Sequence, residues 1–108
     1  MKTLQLTLKE AMKNRALGIR GLEREIKDQL GEEYKISRNQ IHEYLQGKRA
    51  PTYQTATVIS TVLGLDRRDF LLMTYFARQE QREEAEKERF LEYCHDAGIK
   101  VSTRDLME

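Results

Sequence analysis

Six glycines, at positions 18, 21, 31, 47, 64 and 98, and a single proline, Pro51, cut this chain into short pieces. None of the pieces shows a sustained alternation of β-branched and polar residues. Only LQLTL, near the start, and GIKVS, near the end, offer four or five residues of strand-like pattern. Short pieces with apolar residues three and four apart, punctuated by glycine, predict an all-α fold.

A Thr7-x-x-Glu10 capping box predicts a first helix from Thr7, with Leu8, Ala11, Met12 and Ala16 at helical spacing. A second helix is expected over 22–30, with Leu22, Ile26 and Leu30 on one face and Gly31 after it. GEEYK is a polar connection. Ser37 caps a third helix, and Gln40 at the third helical position can reach back to it. Ile41, Tyr44 and Leu45 form its inner face, and Gly47 ends it. Pro51 and Thr52 open a fourth, with Val58, Ile59, Val62 and Leu63 as core. Asp66-x-x-Asp69 opens a fifth, carrying Phe70, Leu71, Met73, Phe76 and Ala77.

From Arg78 to Arg89 the only apolar residue is Ala85, with opposite charges at helical spacing such as Glu83 and Lys87. Phe90, Leu91, Tyr93, Cys94, Ala97 and Ile99 then restore apolar character, and STRDLME suggests one more capped turn. A helix that is polar all round must be held at its ends or by a partner. Either this segment folds back on its own domain, or it extends and pairs Phe90, Leu91, Tyr93 and Cys94 with a second chain. The second is the working expectation, with a boundary between a domain at 1–77 and a helical extension at 78–108.

Charge follows the same division. Residues 1–77 carry 13 Lys+Arg against 9 Asp+Glu, and residues 78–108 carry 6 against 9, so a basic front meets an acidic tail. A basic head suits a polyanion, although chance clustering on solvated helices gives the same count. No apolar run approaches the roughly 18 residues of a membrane span. The start of the chain reads as part of the fold and not as a leader. The single cysteine, Cys94, has no internal disulfide partner, which suits a reducing cytoplasm. His42, Cys94 and His95 lack zinc-ligand spacing, so neither metal nor cofactor is expected. No phosphate loop or nucleophile motif suggests an enzyme.

The stretch SRNQIHEYLQGKRAP, 37–51, carries the functional signal. Two short helices joined by a turn can present the second to a DNA major groove, first turn toward the base edges. Arg, Asn and Gln are the side chains whose forks read guanine or adenine, and here they are Arg38, Asn39 and Gln40. The helix start at Ser37 favours phosphate. Lys48 and Arg49 after the helix could hold the flanking backbone. The same residues would also serve as an ordinary solvent-exposed helix start.

Leu30-Gly31, Ile36-Ser37-Arg38-Asn39-Gln40-Ile41, Gly47-Lys48-Arg49-Ala50-Pro51, Ile59 and Leu63-Gly64-Leu65 together resemble the lambda-repressor-like, Cro-type helix-turn-helix family. The resemblance covers about residues 6–77, and 36–65 is its specific part. It implies a five-helix domain, usually dimeric, that binds double-stranded DNA as a bacterial or phage regulator. Its base-reading positions fall on Arg38, Asn39 and His42 or Glu43, with Gln40 next. Its phosphate positions fall on Gln46, Lys48 and Arg49, and on Glu23 or Arg24, of which Arg24 suits a phosphate better. Two departures stand out: Lys27 replaces a small residue, and Glu32–Lys35 is inserted before the reading helix.

The expectation is therefore a sequence-specific transcriptional regulator, most simply a repressor, located at the nucleoid in the cytoplasm. It would act as a homodimer on a palindromic operator, without a membrane. The alternatives are a protein-interaction adaptor of antitoxin type, using the C-terminal segment for a protein partner, and a DNA-packaging protein.

Overall fold

The computed structural model describes residues 3–79 and 84–101. Among them are six α-helices and no strand: α1 Leu4–Asn14, α2 Ile19–Leu30, α3 Arg38–Gln46, α4 Tyr53–Leu63, α5 Arg67–Gln79 and α6 Glu84–Asp96, with one 3-10 turn at Glu32–Tyr34. The Glu83–Lys87 pair and the turn expected in STRDLME lie outside the described residues. None of the described helices is long and apolar enough to cross a membrane.

The first helix begins three residues before the expected Thr7. Thr3 is its cap, its Oγ1 accepting from the Leu6 N–H at 3.2 Å. Thr7 lies inside the helix, its N–H donating to the Thr3 carbonyl at 3.0 Å. Burial explains the shift. Leu4, Leu8, Ala11 and Met12 form one buried face, whereas the strand-like alternation in LQLTL would have buried Leu6, which is 46% exposed. The chain then leaves α1 through a Schellman turn: Leu17 N–H donates to the Met12 carbonyl at 2.8 Å and Ala16 N–H to Lys13 at 3.0 Å. Ala16 takes the left-handed position at φ 54° that glycine usually fills.

The second helix also starts earlier than expected, at Ile19 rather than Leu22, because Gly18 serves as its cap and Gly21 sits inside it. A side chain at Gly21 would come within 3.0 Å of Leu17 Cδ2, so the glycine leaves room for Leu17 against the first turn. Leu22 and Ile26 are fully buried, and Leu30 is half-buried. Residues 32–35 form the 3-10 turn and its exit. A Lys27–Glu32 ion pair at 3.2 Å and the buried Ile36 tie it at either end. Lys27 is therefore occupied with Glu32 of this segment.

The central helix is α4, which Thr52 caps by accepting from Thr55 N–H at 3.2 Å. Tyr53, Ala56, Val58, Ile59, Ser60, Val62 and Leu63 are all buried, so neighbours cover most of its circumference. It packs on α2 and α5, while α1 packs on α3 and α5. At the start of α5 the Asp66 carboxylate accepts from Asp69 N–H at 2.9 Å, as the Asp-x-x-Asp pattern predicts. Phe70, Leu71, Leu72, Thr74 and Tyr75 are buried there. Met73, Phe76 and Ala77 are only partly so.

Phe90, Leu91, Tyr93 and Cys94, expected to pair with a second chain, lie on α6, which packs on α5 of its own chain. Phe90 is fully buried and Cys94 is 2% exposed. The Phe90 ring sits 5.0 Å from that of Tyr53 and 5.1 Å from that of Tyr75. Leu91 and Tyr93 are half-buried against the same core, and Tyr93 shares a 2.8 Å hydrogen bond with Thr57. The core thus continues past residue 77 into α6. The physical reason is that α4 and α5 leave Tyr53 and Tyr75 to be covered, and Phe90 supplies an aromatic surface for both. Arginines fasten the return. Arg68 Nε donates to the Lys100 carbonyl at 3.1 Å and Arg67 to that of Ala97 at 3.5 Å. Arg78 donates to the Pro51 carbonyl at 3.2 Å while lying over the Tyr53 ring.

Candidate nucleic-acid interface

The candidate surface is built on α3, whose start is set by a reciprocal capping box. Ser37 Oγ accepts from Gln40 N–H at 3.2 Å, and Gln40 Oε1 accepts from Ser37 N–H at 3.0 Å. The Ser37 hydroxyl also approaches Gln40 Oε1 at 3.1 Å. Two of the four orphan amides of a helix start are satisfied locally in this way. The same contacts occupy both side chains. Gln40, expected among the base readers, and Ser37, expected at a phosphate, are half-buried and hold each other. Sequence admits either role for Gln40, but its carboxamide oxygen is already committed to the cap.

The helix is fixed by its opposite face. Ile41 is fully buried and Tyr44 is 3% exposed, and α3 packs on α1 and α2. At 100° per residue, Arg38, His42, Gln46 and Asn39 fall within an arc of about 100° on the other side, and all four are exposed. Glu43 borders this stripe, half-buried. Nine residues make a helix about 13 Å long, and an α-helix with its side chains, about 10–12 Å across, matches the roughly 12 Å width of a major groove.

The exit is equally defined. Gly47 is left-handed at φ 73°, Lys48 N–H donates to the Glu43 carbonyl at 3.0 Å, and Lys48 and Arg49 emerge exposed. A side chain at Gly47 would come within 2.6 Å of Gln5 Oε1, so the α1 carboxamide lies directly against this turn. Behind it, burial raises the Tyr44 hydroxyl pKa above its ordinary value, with the charge of Arg49 opposing the shift. Tyr44 is accordingly a neutral packing residue beneath the exit.

Arg38 does not stand alone. Its Nε lies 3.4 Å from Glu23 Oε1 on α2, the two side chains being 54% and 25% exposed. Glu23 is the residue that phosphate repulsion argued against, and its pairing was not legible because it joins positions fifteen apart on different helices. Arg24, the preferred phosphate residue on α2, is exposed. The fold therefore gathers Arg38, Asn39, His42, Gln46, Lys48 and Arg49 on one helix and its exit, with Arg24 on the helix beside it. It turns Ser37 and Gln40 inward.

Among the described residues no group of three or more His, Cys, Asp or Glu side chains could hold a metal ion. Burial raises the Cys94 thiol pKa, with Arg67 and Arg68 opposing. Comparison with family models, with curated proteins and with solved structures finds no match to this chain.

Proposed function

We propose that this protein is a sequence-specific double-stranded DNA-binding regulator of the lambda-repressor-like helix-turn-helix kind, with α3 as its reading helix. One observation carries the reading: the exposed stripe Arg38, Asn39, His42 and Gln46 on a capped helix whose other face is locked in the core, followed by exposed Lys48 and Arg49. Arg38 and Asn39 at the first turn would read guanine and adenine edges, and His42 and Glu43 would border them. Lys48, Arg49, Gln46 and Arg24 would hold phosphates, supplying affinity and register without base preference. Repression would follow from occupying an operator and excluding polymerase. Two copies on a palindrome would set their reading helices about one DNA turn apart. Their contact would lie on a surface other than Phe90 and Cys94.

Selection from randomised duplexes, followed by binding titrations across salt concentrations, tests this reading. Arg38→Ala or Asn39→Ala should relax preference at one base pair and cost about 1–3 kcal/mol on the selected site. Lys48→Ala should weaken all duplexes alike and lower the salt slope by about one. If the protein shows no salt-dependent binding to any duplex, the reading is wrong.

A further inference from the structure

The turn that presents Lys48 and Arg49 is held at both ends. On the α3 side, Gly47 N–H donates to the Tyr44 carbonyl at 3.2 Å and Lys48 N–H to that of Glu43 at 3.0 Å. On the α4 side, Ala50 and Pro51 are buried, and Pro51 stands one residue before the Thr52 cap. The Pro51 carbonyl accepts from Arg78 Nη1 at 3.2 Å, a hydrogen bond from the last turn of α5, 27 positions away. The Arg78 guanidinium lies over the Tyr53 ring, 5.5 Å from its centroid. Tyr53 is also a ring that α6 covers. The Phe90 and Tyr93 rings lie 5.0 and 6.3 Å from it, and the Tyr93 hydroxyl is fixed by its 2.8 Å hydrogen bond with Thr57. Arg49 and Arg78 both lie near Tyr44 beneath the turn, where their charges oppose the rise that burial causes in its hydroxyl pKa. A planar guanidinium on an aromatic face keeps its fork oriented. A turn fixed in advance need not be ordered at the moment of binding.

From these contacts we infer that Arg78 is a positioning residue for the phosphate-holding turn, and that α6 keeps it in place through Tyr53. The inference rests on the DNA-binding reading above. Cover of Tyr53 by α6 and order in the turn at 48–50 are linked, so loosening one loosens the other. In this way α6, which is no part of the reading surface, bears on DNA affinity.

Arg78→Met keeps an apolar stem against Tyr53 and removes the donors and the charge. Arg78→Lys keeps a donor and the charge but not the planar fork. Backbone order parameters of Lys48, Arg49 and Ala50 in the DNA-free protein, from amide relaxation, read the turn directly. They should fall in Arg78→Met, less in Arg78→Lys, and also in Phe90→Leu, a change on a different helix. Arg78→Met and Phe90→Leu should bind every duplex about two- to tenfold more weakly, the scale of ordering one mobile side chain. Base preference and the salt slope should stay as in the wild type, because Lys48 and Arg49 still reach phosphate. Thermal melting of each variant confirms that the fold is intact. Unchanged order parameters in Arg78→Met refute the positioning role, and a salt slope lower by about one beside them makes Arg78 itself a phosphate contact. A turn that loosens in Arg78→Met but not in Phe90→Leu refutes the link to α6. A wild-type protein that binds no duplex would instead remove the DNA reading and this inference with it.

Discussion

Replacing Phe90 by alanine tests whether α6 belongs to the core of its own chain. The ring is fully buried and lies 5.0 and 5.1 Å from Tyr53 and Tyr75, so truncation removes a whole aromatic side chain from between two others. Phe→Ala in a packed core costs about 3–5 kcal/mol through lost transfer energy and the cavity left behind. An unfolding entropy of about 2.1 cal/mol/K per residue gives roughly 0.23 kcal/mol/K for 108 residues. The melting temperature should then fall by roughly 13–22 °C, within the same two-state treatment. Leu91→Ala, at a half-buried neighbour, is the control and should cost about 1 kcal/mol. Thermal and denaturant unfolding followed by circular dichroism, repeated over a hundredfold range of protein concentration, measure both. A Phe90→Ala loss below about 1 kcal/mol would refute the reasoning. So would a wild-type melting temperature that rises with concentration and loses that rise in the variant, since Phe90 would then be meeting a second chain.

Other outcomes follow from the same geometry. At Ala16, φ 54° costs about 1–2 kcal/mol, while glycine loosens the unfolded chain by about 0.4–1 kcal/mol. Ala16→Gly should thus stabilise by about 0.5–1 kcal/mol in chemical denaturation. Gly47→Ala meets the opposite sign, because it adds left-handed strain and displaces the Gln5 carboxamide. It should cost about 1 kcal/mol, part of which a Gln5→Ala change restores. Burial of Cys94, 2% exposed, makes a thiol reagent slow on the folded protein and fast in denaturant, measured as a rate of labelling. The linked stability is present in full below the ordinary thiol value of 9.0 and is lost as pH climbs through the raised folded value, with Tyr44 contributing in the same direction at higher pH. Urea midpoints should therefore fall on the alkaline side, and Cys94→Ser should remove the thiol's share.

Much of the candidate surface was legible because helix caps and faces are local. Ser37 with Gln40, Gly47 after α3, and Ile41 with Tyr44 on the inner face all follow from neighbours within about one turn. The first two helix starts were misplaced for an equally physical reason. Thr7-x-x-Glu10 has the form of a capping box, but Leu4 gains burial by joining Leu8 and Ala11, and Thr3 stands ready to cap it. In the same way Gln40 had two roles open to it, and its carboxamide oxygen could fill only one.

By itself, the sequence determined an all-α fold class, both ends of α3 and of α4, and which face of α3 would be left outward, since each depends on contacts between residues a few positions apart. The tertiary structure decided which surface receives Phe90 and Cys94, that Arg38 is paired with Glu23, and that Gln5 lies against Gly47. Those contacts join separate helices, and they exist only once helix crossings are set by packing the whole core. Amphipathic pattern states that an apolar face must be covered, but the covering surface comes from whichever neighbours the closed fold brings within reach.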